Sequence, residues 1–130
     1  MEVDLAKVDR TGSEMDDAAG IGRGHVLWAA DPFKRAADTE RPFVVLNDDT
    51  HPFADEQWIA AAVSTTPRPH ALEITEENWT HGTLPQQSHA YPWAIVSPRI
   101  ETIDYVVGSV TNGFVNELVA EVGSYIGLDE

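Results

Sequence analysis

Five histidines are the side chains in this 130-residue sequence whose ordinary pKa suits proton transfer near neutral pH. Any of them could act as a general acid or base. Their spacing matches no zinc-ligand pattern, and histidines scattered over loops and surfaces are the commoner case. We therefore predict neither a metal site nor a cofactor from these residues, which are His25, His51, His70, His81 and His89.

Four tryptophans offer a second kind of chemistry, because the ring that fills a protein core can also stack on a nucleotide base. Trp28 and Trp93 lie in apolar, strand-like runs, and we predict that both are core residues. Trp58 and Trp79 lie in or beside predicted loops. Stacking on a base is the alternative to packing at these two positions and at Phe53.

Cationic side chains are scarce, since 8 basic residues stand against 22 acidic ones and the formal net charge is −14. Salt near 1 M shortens the screening length to roughly 3 Å, so crowded carboxylates then repel one another little. We interpret this acidic, lysine-poor composition as adaptation to high salt; an ordinary acidic protein and a nucleic-acid mimic are the alternatives. Most basic residues fall in or beside predicted loops: Lys34, Arg35, Arg41, Arg68 and Arg99.

The chain contains no cysteine, which excludes disulfides, thiolate metal sites and a cysteine nucleophile. Its N-terminus carries Glu2, Asp4 and Asp9 instead of a basic segment followed by an apolar one. No uninterrupted apolar run approaches membrane-spanning length. We therefore expect a cytoplasmic protein.

Two regions are expected along the chain: an acidic, loosely ordered tail over 1–22 and one folded domain over 23–130. The domain alternates short apolar runs with turn-forming clusters, which predicts an antiparallel β-sheet. The expected strands are 25–30, 42–47, 58–63, an edge strand at 70–74, 93–96 and 105–110. A short helix is an option at 75–79.

The last segment changes to apolar steps of three and four residues, which is the period of a helix with one buried face. Its stripe consists of Phe114, Leu118, Val122 and Tyr125. Thr111 or Asn112 can cap the first turn, and Gly127 can adopt the left-handed conformation that closes the last. We predict a C-terminal helix packed on the sheet.

Four stretches of the domain share a family pattern in their residues, order and spacing. They are Arg23-Gly24-His25-Val26-Leu27-Trp28, Arg41-Pro42-Phe43-Val44-Val45-Leu46-Asn47-Asp48, Ile59-Ala60-Ala61-Ala62-Val63-Ser64-Thr65 and Arg99-Ile100-Glu101-Thr102-Ile103-Asp104. Together they resemble the MazF/PemK family of toxin endoribonucleases over residues 23–127. The resemblance implies a mainly β fold, a small SH3-like barrel with a C-terminal helix. It also implies a homodimer that cuts single-stranded RNA without a metal and is bound by a small antitoxin protein.

Two residues match catalytic positions of that family. Arg41 matches the arginine before the proline of the second strand, and its planar fork of donors suits two phosphate oxygens. Ser64 matches the hydroxyl residue that closes the third strand, with Thr65 as the adjacent substitute. The remaining cations and loop tryptophans would contact RNA: Lys34, Arg35, Arg68, Arg99, Trp58 and Trp79.

The same residues have a structural interpretation. Without the resemblance, Arg41 would be assigned as a loop arginine paired with Glu40 or Asp38. Ser64 would be a polar residue at a strand end, and Asp104 is expected to be a turn or cap acceptor.

The sequence departs from the family pattern at the loop 34–40, which lacks the usual glycine-rich stretch, and at Arg99 and Glu101. Two other functions are therefore open, because a fold does not fix an activity. One is a non-enzymatic protein-binding module, as in the gyrase-inhibiting relatives of the fold. The other is a degenerate regulator that binds an antitoxin but does not cut RNA.

Overall fold

The computed structural model describes residues 20–34 and 39–128. Within them the chain forms seven strands and one α-helix, with short 3-10 helices at Glu76–Asn78 and Ile100–Thr102. The strands are β1 His25–Ala30, β2 Glu40–Val45, β3 Ala60–Ser64, β4 Leu72–Ile74, β5 Trp79–His81, β6 Ser88–Val96 and β7 Ile103–Val110. The helix is α1 Asn112–Tyr125.

The strands pair antiparallel in one sheet, in the order β4-β6-β3-β2-β1-β7-β5. The sheet curls into a half-barrel whose edges are β4 and β5. This confirms the predicted mainly β, SH3-like architecture with a C-terminal helix. β1 has its predicted bounds, while β2 and β7 each begin two residues earlier than predicted.

Two sets of buried side chains form the core, one on each face of the sheet. Because successive residues of a strand point to opposite faces, neighbours such as Val26 and Leu27 belong to different sets. The set between the sheet and α1 includes Val26, Val44 and Val63 from strands and Phe114, Val115 and Leu118 from the helix. The other face includes Leu27, Ala29, Phe43, Ala62 and Trp58. Ile21, near the end of the predicted tail, packs on this second set, whereas residues 1–19 lie outside the described part of the chain.

The ends of α1 follow the predicted capping. The Thr111 side chain accepts a hydrogen bond from the Phe114 amide at 3.2 Å, which satisfies one of the first-turn donors. Gly127 has φ +90°, and the following amide of Leu128 donates to the Gly123 carbonyl at 2.8 Å. The helix therefore begins and ends where local chemistry dictates.

β5 is a strand that the sequence did not predict, and it pairs with β7 at the edge of the sheet. A Cβ at Gly108 would collide with the His81 carbonyl oxygen, and one at Gly82 with the Val107 carbonyl oxygen. The absence of both side chains lets the two backbones meet this closely. β5 joins the sheet through backbone pairing with β7. The spacing of apolar residues in the sequence gives no signal for such pairing.

β6 is longer than predicted, since it begins at Ser88 instead of Trp93 and contains Pro92. Its register with β3 shifts between Ala61 and Val63. An irregularity of this kind tolerates a proline, which has no amide hydrogen to donate. β4 begins at Leu72, two residues after the predicted start, because His70 has φ +74° and leaves the extended conformation.

Candidate functional site

Arg41 is held by a carboxylate that the sequence analysis did not consider. Its Nε lies 2.8 Å from Asp31 Oδ2, and the side chains are 24% and 0% exposed respectively. The two atoms are in ionic contact, although the Nε–H is not aligned as a hydrogen bond. Asp31 Oδ1 accepts from the Phe33 amide at 2.8 Å. The pairing with Glu40 is therefore not observed, and Asp38 lies outside the described residues.

The β1–β2 connection brings this pair together. Ala29 pairs with Arg41, and the Asp31 amide donates to the Thr39 carbonyl at 3.0 Å just beyond the ladder. Within residues 20–34 and 39–128, the terminal nitrogens of Arg41 make no hydrogen bond. Asp31 thus holds the Arg41 guanidinium at its Nε, and the two terminal nitrogens can bind an anion.

Ser64 aligns with Arg41 when the β2–β3 register is continued beyond its last observed pair. Phe43 pairs with Ala62, and continuing this antiparallel register by two residues places Arg41 across from Ser64, on the same face. The Ser64 Oγ accepts a hydrogen bond from the Thr66 amide at 3.1 Å, which leaves its own hydrogen for another acceptor. The continued register thus aligns, on one face, the two residues that the family pattern singled out.

A groove of about 340 Å³ opens beside this strand end. Its walls come from the ends of β1, β2 and β3 and from the loop before β6: Trp28, Pro42, Val63, Ser64, Thr65, Leu84, Pro85, Gln86 and Ser88. Both hydroxyl residues line it, whereas Arg41 does not: its side chain lies on the face of β2 opposite to Pro42, beside Asp31. An extended single strand of nucleic acid could pass through the groove with one phosphate at Ser64.

Glu40 is a titratable residue that contacts Trp28, a wall residue of the groove. Burial, and next the negative charge of Asp104, raise the pKa of its carboxyl, while a hydrogen bond with Trp28 works in the opposite direction. Trp28 in turn stacks on Tyr105 with ring centroids 6.2 Å apart. Asp104 lies within β7, where its charge helps to raise the pKa of Glu40. The prediction that Asp104 is a turn or cap acceptor is therefore wrong. A carboxyl with a raised pKa can exchange a proton at higher pH than an ordinary one.

The other predicted cations lie in three places. Lys34 is exposed in the β1–β2 connection, and Arg35 lies outside the described residues. Arg99 is exposed, with its Nε 3.8 Å from Glu101 Oε2, and it lines a hollow of about 450 Å³ together with Asp31. Arg68 is exposed on the loop after β3, close to the aromatic ring of Trp93.

Two tryptophans have the opposite exposure from the one predicted: Trp58 is buried and Trp93 is exposed. Trp58 is 0% exposed and packs with Leu27 and Val45, so its ring offers no face to a base and the stacking prediction is wrong. Trp93, predicted to be core, is 40% exposed. Trp79 is half-buried and packs against the core under α1. Pro92 is the sequence signal that could have marked Trp93 as part of an irregular, partly exposed strand.

The histidines do not converge on a metal site: in the described part of the chain no cluster of three or more histidine or acidic side chains could hold an ion. Burial, and next the charge of His81, lower the pKa of His25. Its Nδ1 accepts a hydrogen bond from the Gly22 amide at 2.7 Å, which requires an unprotonated nitrogen there. Over the same residues no helix is long and apolar enough to cross a membrane.

No protein-family model and no curated protein matches the sequence. Solved structures do match. A mycobacterial endoribonuclease in complex with its cognate antitoxin has a TM-score of 0.64 at 14% identity, covering 85% of this chain and 96% of that one. The Mycobacterium tuberculosis toxin MazF-mt6 has a TM-score of 0.60 at 18% identity, covering 82% and 99%.

A third match is the MazE-MazF complex of Deinococcus radiodurans, with a TM-score of 0.62 at 14% identity over 84% of this chain and 97% of that one. In each case nearly the whole of the solved chain is covered, so the likeness includes the sheet and the terminal helix. At these identities the likeness establishes the fold. The chain has the fold of the MazF toxins.

Proposed function

We propose that this protein is an endoribonuclease toxin that cleaves single-stranded RNA. The observation that supports the proposal is the β2–β3 register, which aligns Arg41 with Ser64 at one end of a MazF-like sheet when it is continued by two residues. Fold likeness at this identity does not by itself convey an activity. Two further features support the proposal: the continued register aligns the two family-matched residues on one face, and Ser64 lines an open groove.

The chemistry requires little of the protein, because RNA carries its own nucleophile. The 2′-hydroxyl attacks the adjacent phosphorus, its proton leaves to a base, and the bond from phosphorus to the 5′-oxygen breaks as that oxygen takes up a proton. The products are a 2′,3′-cyclic phosphate and a 5′-hydroxyl end. The Arg41 guanidinium would bind the non-bridging oxygens, and the Ser64 hydroxyl would donate to the same developing charge. No metal is needed in this scheme.

The alternation of side chains along β2 puts Glu40 on the face opposite to Arg41, so Glu40 is not placed to take the proton at a phosphate bound by Arg41. Asp31 would act as a positioning residue, since it fixes Arg41 without reaching the substrate. Lys34, Arg35, Arg68 and Arg99 would supply further phosphate contacts.

The acidic surface is compatible with an RNA substrate in high salt. Counterion release drives most non-specific binding at low salt, and this term is small for any protein in molar salt. Recognition would then depend on close hydrogen bonds and stacking. We propose a cytoplasmic, salt-adapted toxin on this ground.

Two partners belong to the proposal. Two of the matching structures are complexes with an antitoxin, so a small antitoxin protein is the expected inhibitor of this chain. A homodimer is the expected assembly by the resemblance to the MazF/PemK family. Co-expression of the chain with a small open reading frame adjacent to its gene, followed by purification, tests the first.

The decisive experiment is RNA cleavage in molar potassium chloride with a chelator present. We expect the wild-type protein to cut long single-stranded RNA to 2′,3′-cyclic phosphate ends. Removing one transition-state donor in such sites lowers the rate by about 100- to 1,000-fold, so Arg41→Ala and Ser64→Ala should each do so. Ser124→Ala, which removes an exposed hydroxyl on α1 outside the groove, is the control and should retain most of the activity.

Other outcomes separate the alternatives. Intact RNA with wild-type protein contradicts the proposed cleavage. Growth inhibition that persists in Arg41→Ala would indicate the non-enzymatic binding module. Antitoxin binding without either effect would indicate the degenerate regulator.

A further inference from the structure

Trp93 is an exposed aromatic ring that no role above uses. The Trp93 ring stacks on Tyr91 with centroids 4.6 Å apart and planes 18° apart. The Arg68 guanidinium carbon lies 5.6 Å from the Trp93 ring centroid. Tyr91 is only 8% exposed, so the exposed ring rests on a buried, fixed support. We call Tyr91, Trp93 and Arg68 the aromatic platform.

A chain of contacts joins the aromatic platform to the proposed catalytic hydroxyl. The Tyr91 hydroxyl donates to the Thr66 carbonyl at 2.6 Å, and the Thr66 amide donates to Ser64 Oγ at 3.1 Å. Arg68 lies on the same loop, two residues after Thr66. The platform is therefore held in a fixed relation to Ser64, at the end of β3.

The components of the platform match what a nucleotide presents. Every base has a π-face that stacks on an exposed aromatic ring, and an adjacent guanidinium can lie over a base or bind the flanking phosphate. Arg68 is one of only 8 basic residues against 22 acidic ones, so its position on an exposed ring is not explained by a generally basic surface. An apolar protein segment laid over Trp93 would leave the Arg68 charge without a partner.

We propose that the aromatic platform is a nucleobase subsite for the RNA strand, adjacent to the phosphate position at Ser64. The base stacks on Trp93, and Arg68 moves from the ring onto the base or its phosphate. A surface cation–π contact is weaker than stacking of a base on the ring, so this exchange is favourable. The inference rests on the proposed RNA-cleaving function and names a determinant of its substrate preference.

Binding of uncleavable RNA tests the subsite. Short 2′-O-methyl homopolymers of uridine, adenosine and cytidine lack the attacking hydroxyl, and they are titrated in molar potassium chloride with tryptophan fluorescence as the readout. Loss of one stacked base weakens binding by roughly 5- to 150-fold. We expect Trp93→Leu to show such a loss for the preferred homopolymer, and to lose the fluorescence change on binding.

Three variants keep the result interpretable. Arg68→Ala, at an exposed loop position, should weaken binding without altering the fold. Trp93→Phe retains an aromatic face and should recover part of the affinity. Tyr125→Leu removes a ring that is 44% exposed at the end of α1 and lies outside the platform, so its affinity should equal that of the wild type.

The same proteins are also assayed for cleavage of unmodified RNA. If the wild type cuts RNA but Trp93→Leu and Arg68→Ala bind every homopolymer as tightly as Tyr125→Leu, the subsite is wrong and the proposed function stands. If the wild type neither binds nor cuts RNA, both are wrong. Equal loss of binding in Trp93→Leu, Arg68→Ala and the control variant would indicate a general effect on the protein and would also overturn the subsite.

Discussion

At the scale of single residues, burial decides what each charged group can do. The Asp31 carboxylate is fully removed from solvent and is stable there only because Arg41 and the Phe33 amide face it. The Arg99–Glu101 pair has the same chemical types with both side chains 66% exposed, where water screens the attraction. One pair therefore positions a guanidinium, and the other contributes little.

Asp31→Ala and Glu101→Ala compare these two pairs directly. Asp31→Ala removes a buried acceptor from both Arg41 and the Phe33 amide, so we expect the unfolding free energy to fall by about 1–3 kcal/mol. Glu101→Ala should change it by less than about 0.5 kcal/mol. Urea unfolding in high salt measures both. Equal effects would contradict a positioning role for Asp31.

Glu40 gives a pH prediction at the same scale. Because its pKa is raised in the folded protein, the folded state holds the proton more tightly than the unfolded state does. Its stabilising contribution is therefore full below the unfolded value of 4.5 and is lost as the pH rises through the folded pKa.

Glu40→Gln removes this titration. We expect the variant to be more stable than the wild type at neutral pH, with the difference shrinking as the pH falls toward 4.5. Urea unfolding across this pH range measures it. A difference that stays constant with pH would show that the Glu40 carboxyl does not titrate as described.

At the scale of elements, two glycines with opposite surroundings show what each segment tolerates. Gly108 lies in β7 where a Cβ would meet the His81 carbonyl of β5. Gly113 lies in the first turn of α1, where an added Cβ meets nothing within 4 Å. The same substitution should therefore have opposite effects at the two positions.

Gly108→Ala should separate β5 from β7 and lower the unfolding free energy by about 1–3 kcal/mol, as overpacking does elsewhere. Gly113→Ala should raise it by about 0.4–1 kcal/mol, because alanine loses less backbone freedom on folding. Thermal unfolding of the two variants at one salt concentration compares them. Stabilisation by Gly108→Ala would mean that β5 is not packed as described.

At the scale of the whole molecule, the net charge of −14 sets the conditions under which the fold is stable. The screening length falls from about 10 Å at 0.1 M salt to about 3 Å at 1 M, which removes most repulsion between surface carboxylates. Stability should therefore depend on ionic strength.

We expect the thermal unfolding midpoint to rise steadily as potassium chloride increases from about 0.1 M to above 1 M. Sucrose at equal osmolality is the control, since it does not screen charge. A midpoint that is independent of salt, or that falls, would contradict salt adaptation and favour an ordinary acidic protein.

Signals that are local in sequence determined much of this protein. The apolar run of β1, the helical stripe of α1 and its caps at Thr111 and Gly127 are set by neighbouring residues, and all appear in the structure. The family pattern likewise singled out Arg41 and Ser64, which align when the β2–β3 register is continued by two residues.

The tertiary structure alone decided which side chains are buried and what they meet. Trp58 and Trp93 both lie beside apolar residues, yet the curl of the sheet buries the first and the irregularity around Pro92 exposes the second. Asp31 meets Arg41 because β1 and β2 pair, ten residues apart in sequence. Such contacts depend on the path of the whole chain, which residue type and local periodicity do not encode.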